Sequence, residues 1–448
     1  VPALRKILHN DNVLSLMGNL TVTSFGIISF MLLTRTLSLP MFGQWSLYVS
    51  ASTLLEMLRS GLTRVALIRF LSGADSKEKQ TILGSNWIIS IALTFAIAII
   101  LLVIRLVWRS EIDQSSFALF FRWYPLIAFA NLPLQNSLSQ LQAEQRFSHI
   151  LYLRAFDSGL FVIVLLFNFM AFNAGISFII ISYILIAVTA SAVGIAMTRD
   201  GLAAISKARK KSIKELLHFG KYTLGTLIGT NLLKSTDAFI IGLSPVLGAT
   251  GVAMFSVPLK MIEMLEIPLR SMVSTAYPKI AAAARHGQEE KIKSMFYAYT
   301  GFTMILFVPI LLAGTIAAPW FIVILAGPEY LSAALLFRIF CFYGLFLPFD
   351  RFAGVVLDAI NKPKLNFIKV LFMALVNLIG DVIAVFTFKS LELVAVATIL
   401  MTICGAVWGY YYLDREFGLN LRTMMLTGIA KWRQTLGYEH EKAIHEPL

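Results

Sequence analysis

Only two cysteines and six histidines are scattered through 448 residues. Cys341 and Cys404 both fall inside apolar runs, which argues against a disulfide framework and a thiolate metal centre. The dispersed histidines offer no zinc cluster, so no metal site is expected. No GxxxxGK[ST] loop occurs, so the chain carries no ATPase site of its own, and no Ser, His and Asp constellation stands out. No catalytic residue is assigned, and an enzyme is not expected. Charge is scarce too: 14% of residues are charged while 58% are hydrophobic, and the mean hydropathy is +0.76. A water-soluble globular chain of this length does not look like that. The net charge of +13 would suggest nucleic acid in a soluble protein. Here the Lys and Arg lie between apolar segments and read as topology determinants, with no nucleic-acid partner.

What the sequence has in abundance is apolar runs of about 20 residues, the length needed to cross a hydrocarbon core of about 30 Å. Twelve helical spans are predicted, roughly at 13–33, 41–62, 85–108, 117–140, 151–172, 176–197, 219–243, 249–275, 295–317, 331–358, 366–388 and 391–413. Residues 1 to 12 are polar and basic and lack the features of a cleavable signal peptide. Every second connection is basic: Arg5 and Lys6; Arg69, Lys77 and Lys79; Arg146 and Arg154; Lys207 to Lys214; Lys279 to Lys293; Lys362, Lys364 and Lys369. The intervening ones, such as "FNAG" and "FKSLE", are nearly uncharged, with the Arg105 to Arg122 region a partial exception, so both termini are expected to be cytoplasmic.

The longest polar connection, "TRDGLAAISKARKKSIKE", separates six spans from six. "TLLEMLRSGL" in span two resembles "KMIEMLEIPL" in span eight about 207 residues later. The expected fold is therefore an all-α integral membrane protein of two pseudo-symmetric six-helix lobes around a central cavity. The lobes are expected at 1–200 and 219–413, joined by a cytoplasmic connection at 201–218 and followed by an amphipathic surface tail at 414–448.

Span eight carries Lys260, Glu263, Glu266 and Arg270, which at 100° per residue fall within about 120° of one another. Together they cost about 10–14 kcal/mol at mid-membrane, against about 3–5 kcal/mol recovered from the nine Leu, Ile, Val and Phe of the span. That stripe cannot face lipid. Arg35, Glu56, Arg59, Arg64, Lys234, Asp237, Asp350, Arg351 and Asp381 are further interior charges. Arg35, Arg59, Lys234, Lys260 and Arg270 are the candidate substrate-binding cations. Glu56, Asp237, Glu263 and Glu266 are the candidates for charge balance or for binding a coupling proton or sodium ion. Asp350 and Arg351, adjacent in sequence, read as structural.

Four further stretches carry a resemblance to a known family. "LLTRTLSLPMFGQWSLY" (32–48), "LLKSTDAFIIG" (232–242), "STAYPKIA" (274–281) and "LAGPEYLSAA" (325–334) occur in order over nearly the whole chain. They resemble the polysaccharide transporter (O-antigen flippase) family of the multidrug/oligosaccharidyl-lipid/polysaccharide exporter superfamily. The third resembles a proline that ends the eighth helix. The resemblance implies alternating access and movement of an undecaprenyl-diphosphate-linked oligosaccharide from the cytoplasmic to the outer leaflet of the inner membrane. Membrane lipids and polysaccharide polymerase or assembly proteins are the implied partners, with no cofactor beyond a coupling H+ or Na+. The rival readings are a drug or cation antiporter of the same superfamily, a membrane-embedded glycosyltransferase or polysaccharide ligase, which should show large outside loops that are missing, and a non-transporting cell-envelope scaffold. Span one carries no acidic residue, unlike such antiporters, and the interior cations favour an anionic substrate.

Overall fold

The computed structural model describes the backbone of residues 11–71, 74–198 and 200–435, with side chains for 20–71, 74–198, 201–220 and 235–434. Arg5, Lys6, the side chain of Lys234 and the tail beyond 435 lie outside the described residues. Twelve helices of 20 residues or more follow one another among the described residues. They are α1 (Asp11–Thr36), α2 (Leu39–Leu71), α3 (Ser76–Val107), α4 (Ala118–Ala143), α5 (Phe147–Phe167), α6 (Ile176–Met197), α7 (Lys210–Leu243), α8 (Gly248–Arg285), α9 (Glu289–Ile316), α10 (Ala334–Ala359), α11 (Pro363–Val382) and α12 (Leu391–Phe417). Each falls on one of the predicted spans. A final helix, α13, covers Leu421–Thr435. Seven of the helical segments are long and apolar enough to cross a membrane by length and composition alone. Others, α2 and α8 among them, are longer still but carry the interior charges.

Local chemistry sets the ends of these helices. Asp75 accepts hydrogen bonds from the backbone N–H of Lys77 (3.0 Å) and Glu78 (2.7 Å), satisfying the first turn of α3. Ser390 does the same for Leu393 in α12 (3.2 Å). Beside Pro133, Ser191 Oγ of α6 donates to the Ala130 carbonyl (2.5 Å) and accepts from Leu134 N–H (3.2 Å), so a neighbouring helix supplies hydrogen bonds next to the residue that lacks an N–H. Pro278, expected to end α8, sits inside it, and the helix runs on to Arg285 through Pro258, Pro268 and Pro278. A proline deletes only one donor, which a long embedded helix tolerates.

The chain divides into two compact units, Val1–Ala253 and Met254–Leu448. In the first, α2 packs on α4 and α7, α5 on α1, and α6 on α4. A Cβ on Gly220 would lie 1.7 Å from the Leu62 carbonyl oxygen, so α7 and α2 touch backbone to backbone there. In the second, α10 packs on α9 and α12, and α11 on α12. The backbone repeats between α4–α6 and α10–α12. Gln145 and Asn361 are left-handed in the turns after α4 and α10 (φ 56° and 61°). Helices α5 and α11 both run into a π-helical turn, Asn168–Phe172 and Ile383–Phe388, closed by a left-handed residue, Asn173 and Lys389 (φ 44° and 54°). In each pair the second residue follows the first by the same interval, 216 positions.

Helix α13 closes the described chain. It packs on α9, where Gly428 meets Gly301, and Asn420 N–H donates to Tyr297 Oη (2.5 Å) at its start.

Candidate functional site

In each unit the helix carrying the internal repeat bears a charged cluster. In the first unit, Arg59 is 2% exposed. Its Nη2 meets Glu56 (2.5 Å), while Nη1 donates to Thr94 Oγ1 (3.0 Å) and the Ala128 carbonyl (2.8 Å). Tyr124 Oη lies 3.5 Å from the other oxygen of Glu56. Helices α2, α3 and α4 thus converge on one guanidinium. Arg59 Nε faces no protein acceptor among the described residues, and the small cavity beside it, of about 10 Å³, has room for one water. Ser60, Thr63, Ser90, Gln135 and Asn136 line it. Arg59 is therefore built into the unit, and Glu56, whose side chain is 21% exposed, is the accessible member of the pair.

In the second unit the burial is reversed. The side chain of Glu266 is only 10% exposed and binds two guanidiniums, Arg270 at 2.7 Å and Arg351 at 3.4 Å. Arg270 and Arg351 are accessible, at 61% and 43%. One turn away Lys260 pairs with Glu263 (3.1 Å), both partly exposed. The repeat aligns "EMLR" with "EMLE", placing Glu56 opposite Glu263 and Arg59 opposite Glu266. At the second of these positions the sign is inverted: a buried cation in one unit, a buried anion in the other. A buried arginine holds out a carboxylate, and a buried glutamate holds out two guanidiniums.

The remaining candidates are spread out. Arg35 is exposed in the last turn of α1. Asp237 is buried in α7. Two residues gain roles that the sequence did not suggest. Arg351, read as structural, reaches Glu266. Lys369, counted with the loop cations, is 2% exposed inside α11, where Nζ donates to Asp350 Oδ1 (2.7 Å) and the Asp350 carbonyl (3.0 Å). Burial of either charge alone is costly, and pairing offsets it. Gly405 makes room for this pair, since a Cβ there would stand 2.7 Å from Asp350 Oδ1. Asp350 and Arg351 point in different directions, so α10 ties α11 to α8. The adjacent "DR" inside an apolar span was the available signal. In α11, Asn377 Nδ2 also donates to the buried Asp381 (3.0 Å).

The fold has known counterparts. An inward-facing multidrug resistance MATE family transporter of the MOP superfamily superposes with a TM-score of 0.73 at 15% identity, covering 88% of this chain and 95% of its own. The lipid II flippase MurJ, in an inward closed conformation, gives 0.71 at 14%, covering 96% and 94%. A MOP superfamily transporter from Pyrococcus furiosus, described as having a binding pocket of reverse polarity, gives 0.56 at 15%, covering 91% and 95%. At such identities the likeness shows a shared fold. A comparison with curated proteins finds no match by sequence. The profile of the family described as "Polysaccharide biosynthesis protein" matches residues 9–284, more than half of the chain. This multi-pass membrane protein belongs to that polysaccharide biosynthesis family.

Proposed function

We propose that the protein is a flippase that carries an undecaprenyl-diphosphate-linked oligosaccharide from the cytoplasmic to the outer leaflet by alternating access between two six-helix lobes. The observation that carries this reading is the Glu266 cluster, where one buried carboxylate orients two accessible guanidiniums. Guanidiniums make bidentate, charge-assisted bonds to phosphate oxygens, and a diphosphate offers several. Arg270 and Arg351 are the proposed diphosphate ligands, with Lys260 nearby on α8. Glu56 and Glu263, both accessible, suit sugar hydroxyls or a coupling proton or sodium ion. The likeness to a multidrug transporter concerns fold alone, and the accessible arginines favour an anionic cargo over a cationic drug.

The test follows outward movement of a fluorescent lipid-linked oligosaccharide in proteoliposomes. Arg270→Ala and Arg351→Ala should each slow translocation at least tenfold, and Glu266→Gln should do so by releasing both guanidiniums. Parent-like rates in the two arginine variants, or efflux of a cationic dye that the labelled oligosaccharide does not inhibit, would remove the reading.

A further inference from the structure

A second site lies at the far end of the seam between α2 and α7. The two helices run antiparallel and touch at Leu62 and Gly220. Two turns beyond that contact, on the face the basic connections predict to be cytoplasmic, a cleft of about 430 Å³ opens between the end of α2 and the start of α7. Arg69, Phe70, Lys214, Glu215, His218 and Phe219 line it. Phe70 and Phe219 meet edge to face at 5.9 Å and form an apolar floor. The Arg69 guanidinium carbon lies 4.7 Å from the centre of the Phe219 ring, within cation–π range. Among the described residues Arg69 has no carboxylate or hydrogen-bond partner. Lys214 is exposed on the opposite wall. Among the described residues that line it Glu215 is the one carboxylate, and Lys207, Arg209, Lys210 and Lys211 lead into α7. The balance is positive.

Cations beside an aromatic floor, on the face the basic connections predict to be cytoplasmic, match the two halves of a phospholipid. We propose that this cleft binds an anionic phospholipid of the adjoining leaflet. Its phosphate meets Arg69 and Lys214, and its glycerol and first methylenes lie on Phe70 and Phe219. The site is separate from the Glu266 cluster and does not depend on what is transported.

The full chain in detergent is titrated with phosphatidylglycerol, phosphatidylcholine or inorganic phosphate, with bound lipid counted by native mass spectrometry and thermal unfolding followed in parallel. Phosphatidylglycerol should bind at least tenfold more tightly than phosphatidylcholine and raise the unfolding midpoint, increasingly less as salt is added. The Arg69→Ala/Lys214→Ala double variant should lose at least tenfold in that affinity, with Arg69→Lys in between, because it keeps charge but gives up the flat stacking surface. Arg285→Ala, at the exposed end of α8, should bind as the parent does. If the double variant does not fold, Lys214→Gln at an exposed position should still lose about threefold. Equal binding of the two lipids, parent-like binding by the Lys214 variant, or equal stabilisation by inorganic phosphate would each overturn the proposal.

Discussion

Arg59 and Arg270 lie on repeat-related helices, yet replacing them should have opposite consequences. Arg59→Leu strands Glu56, Thr94 and the Ala128 carbonyl around a missing cation, a loss of about 3–5 kcal/mol. We expect a much reduced folded yield or a sharply lower unfolding midpoint in detergent. Arg270→Ala removes an exposed side chain and leaves Arg351 on Glu266, so stability should change by about 0.5 kcal/mol or less while transport falls. The sequence showed that both residues sit where charge is costly, because the cost depends only on residue type and span. It did not show which charge is sealed in, because that depends on partners from α3, α4 and α10. A third residue responds to pH. Glu144, between α4 and α5, is partly desolvated, which raises its pKa, but Lys79 (2.6 Å), Gln140 (3.0 Å) and Arg146 (3.3 Å) outweigh that and hold it below the usual carboxylate value. A depressed folded-state pKa contributes stability above the ordinary carboxylate pKa and loses it as pH falls through the lowered one. Unfolding midpoints measured downward from pH 7 should therefore drop on acidification in the parent, and less steeply in Glu144→Gln.

At the level of whole helices, close backbone approach decides what apolar patterning leaves open. The segment after span twelve reads as an amphipathic helix lying on a surface, because its apolar residues are too few to cross. In the structure α13 packs on α9: a Cβ on Gly428 would stand 2.3 Å from the Gly301 carbonyl carbon, and Trp432 lies 5.7 Å from Phe302. Two glycines more than a hundred residues apart carry no sign in the sequence that they meet. Gly428→Val should detach α13 while α1 to α12 remain folded. Limited proteolysis would show it as new cleavage within 418–435 at an unchanged elution volume, and a protected segment would argue that the glycine contact does not hold the helix. The internal repeat behaves similarly. "EMLR" against "EMLE" is a thin match, whereas Gln145 with Asn361 and Asn173 with Lys389 coincide in backbone geometry at one spacing. Their side chains differ, so the geometry repeats where the residues do not.

For the molecule as a whole, the twelve helical spans were legible because the bilayer imposes a length rule on any sequence that crosses it, and the alternation of basic connections predicts which ends are cytoplasmic. The topology makes a direct prediction. In intact cells a membrane-impermeant maleimide should label Gly175→Cys, between α5 and α6, and should reach Ser206→Cys, between α6 and α7, only after permeabilisation. Labelling in the reverse order would invert the chain in the membrane. The Glu266 cluster also has an electrical consequence on the proposed reading. One carboxylate and two guanidiniums leave it singly positive when empty. A head group bearing about two negative charges makes the loaded form singly negative. Under an inside-negative potential the loaded form is pushed outward and the empty form drawn back, each by about 2.3 kcal/mol per elementary charge moved across 100 mV. Both halves of the transport cycle then run with the membrane voltage, so the single buried Glu266 sets the polarity of the carrier as well as the direction in which its arginines point.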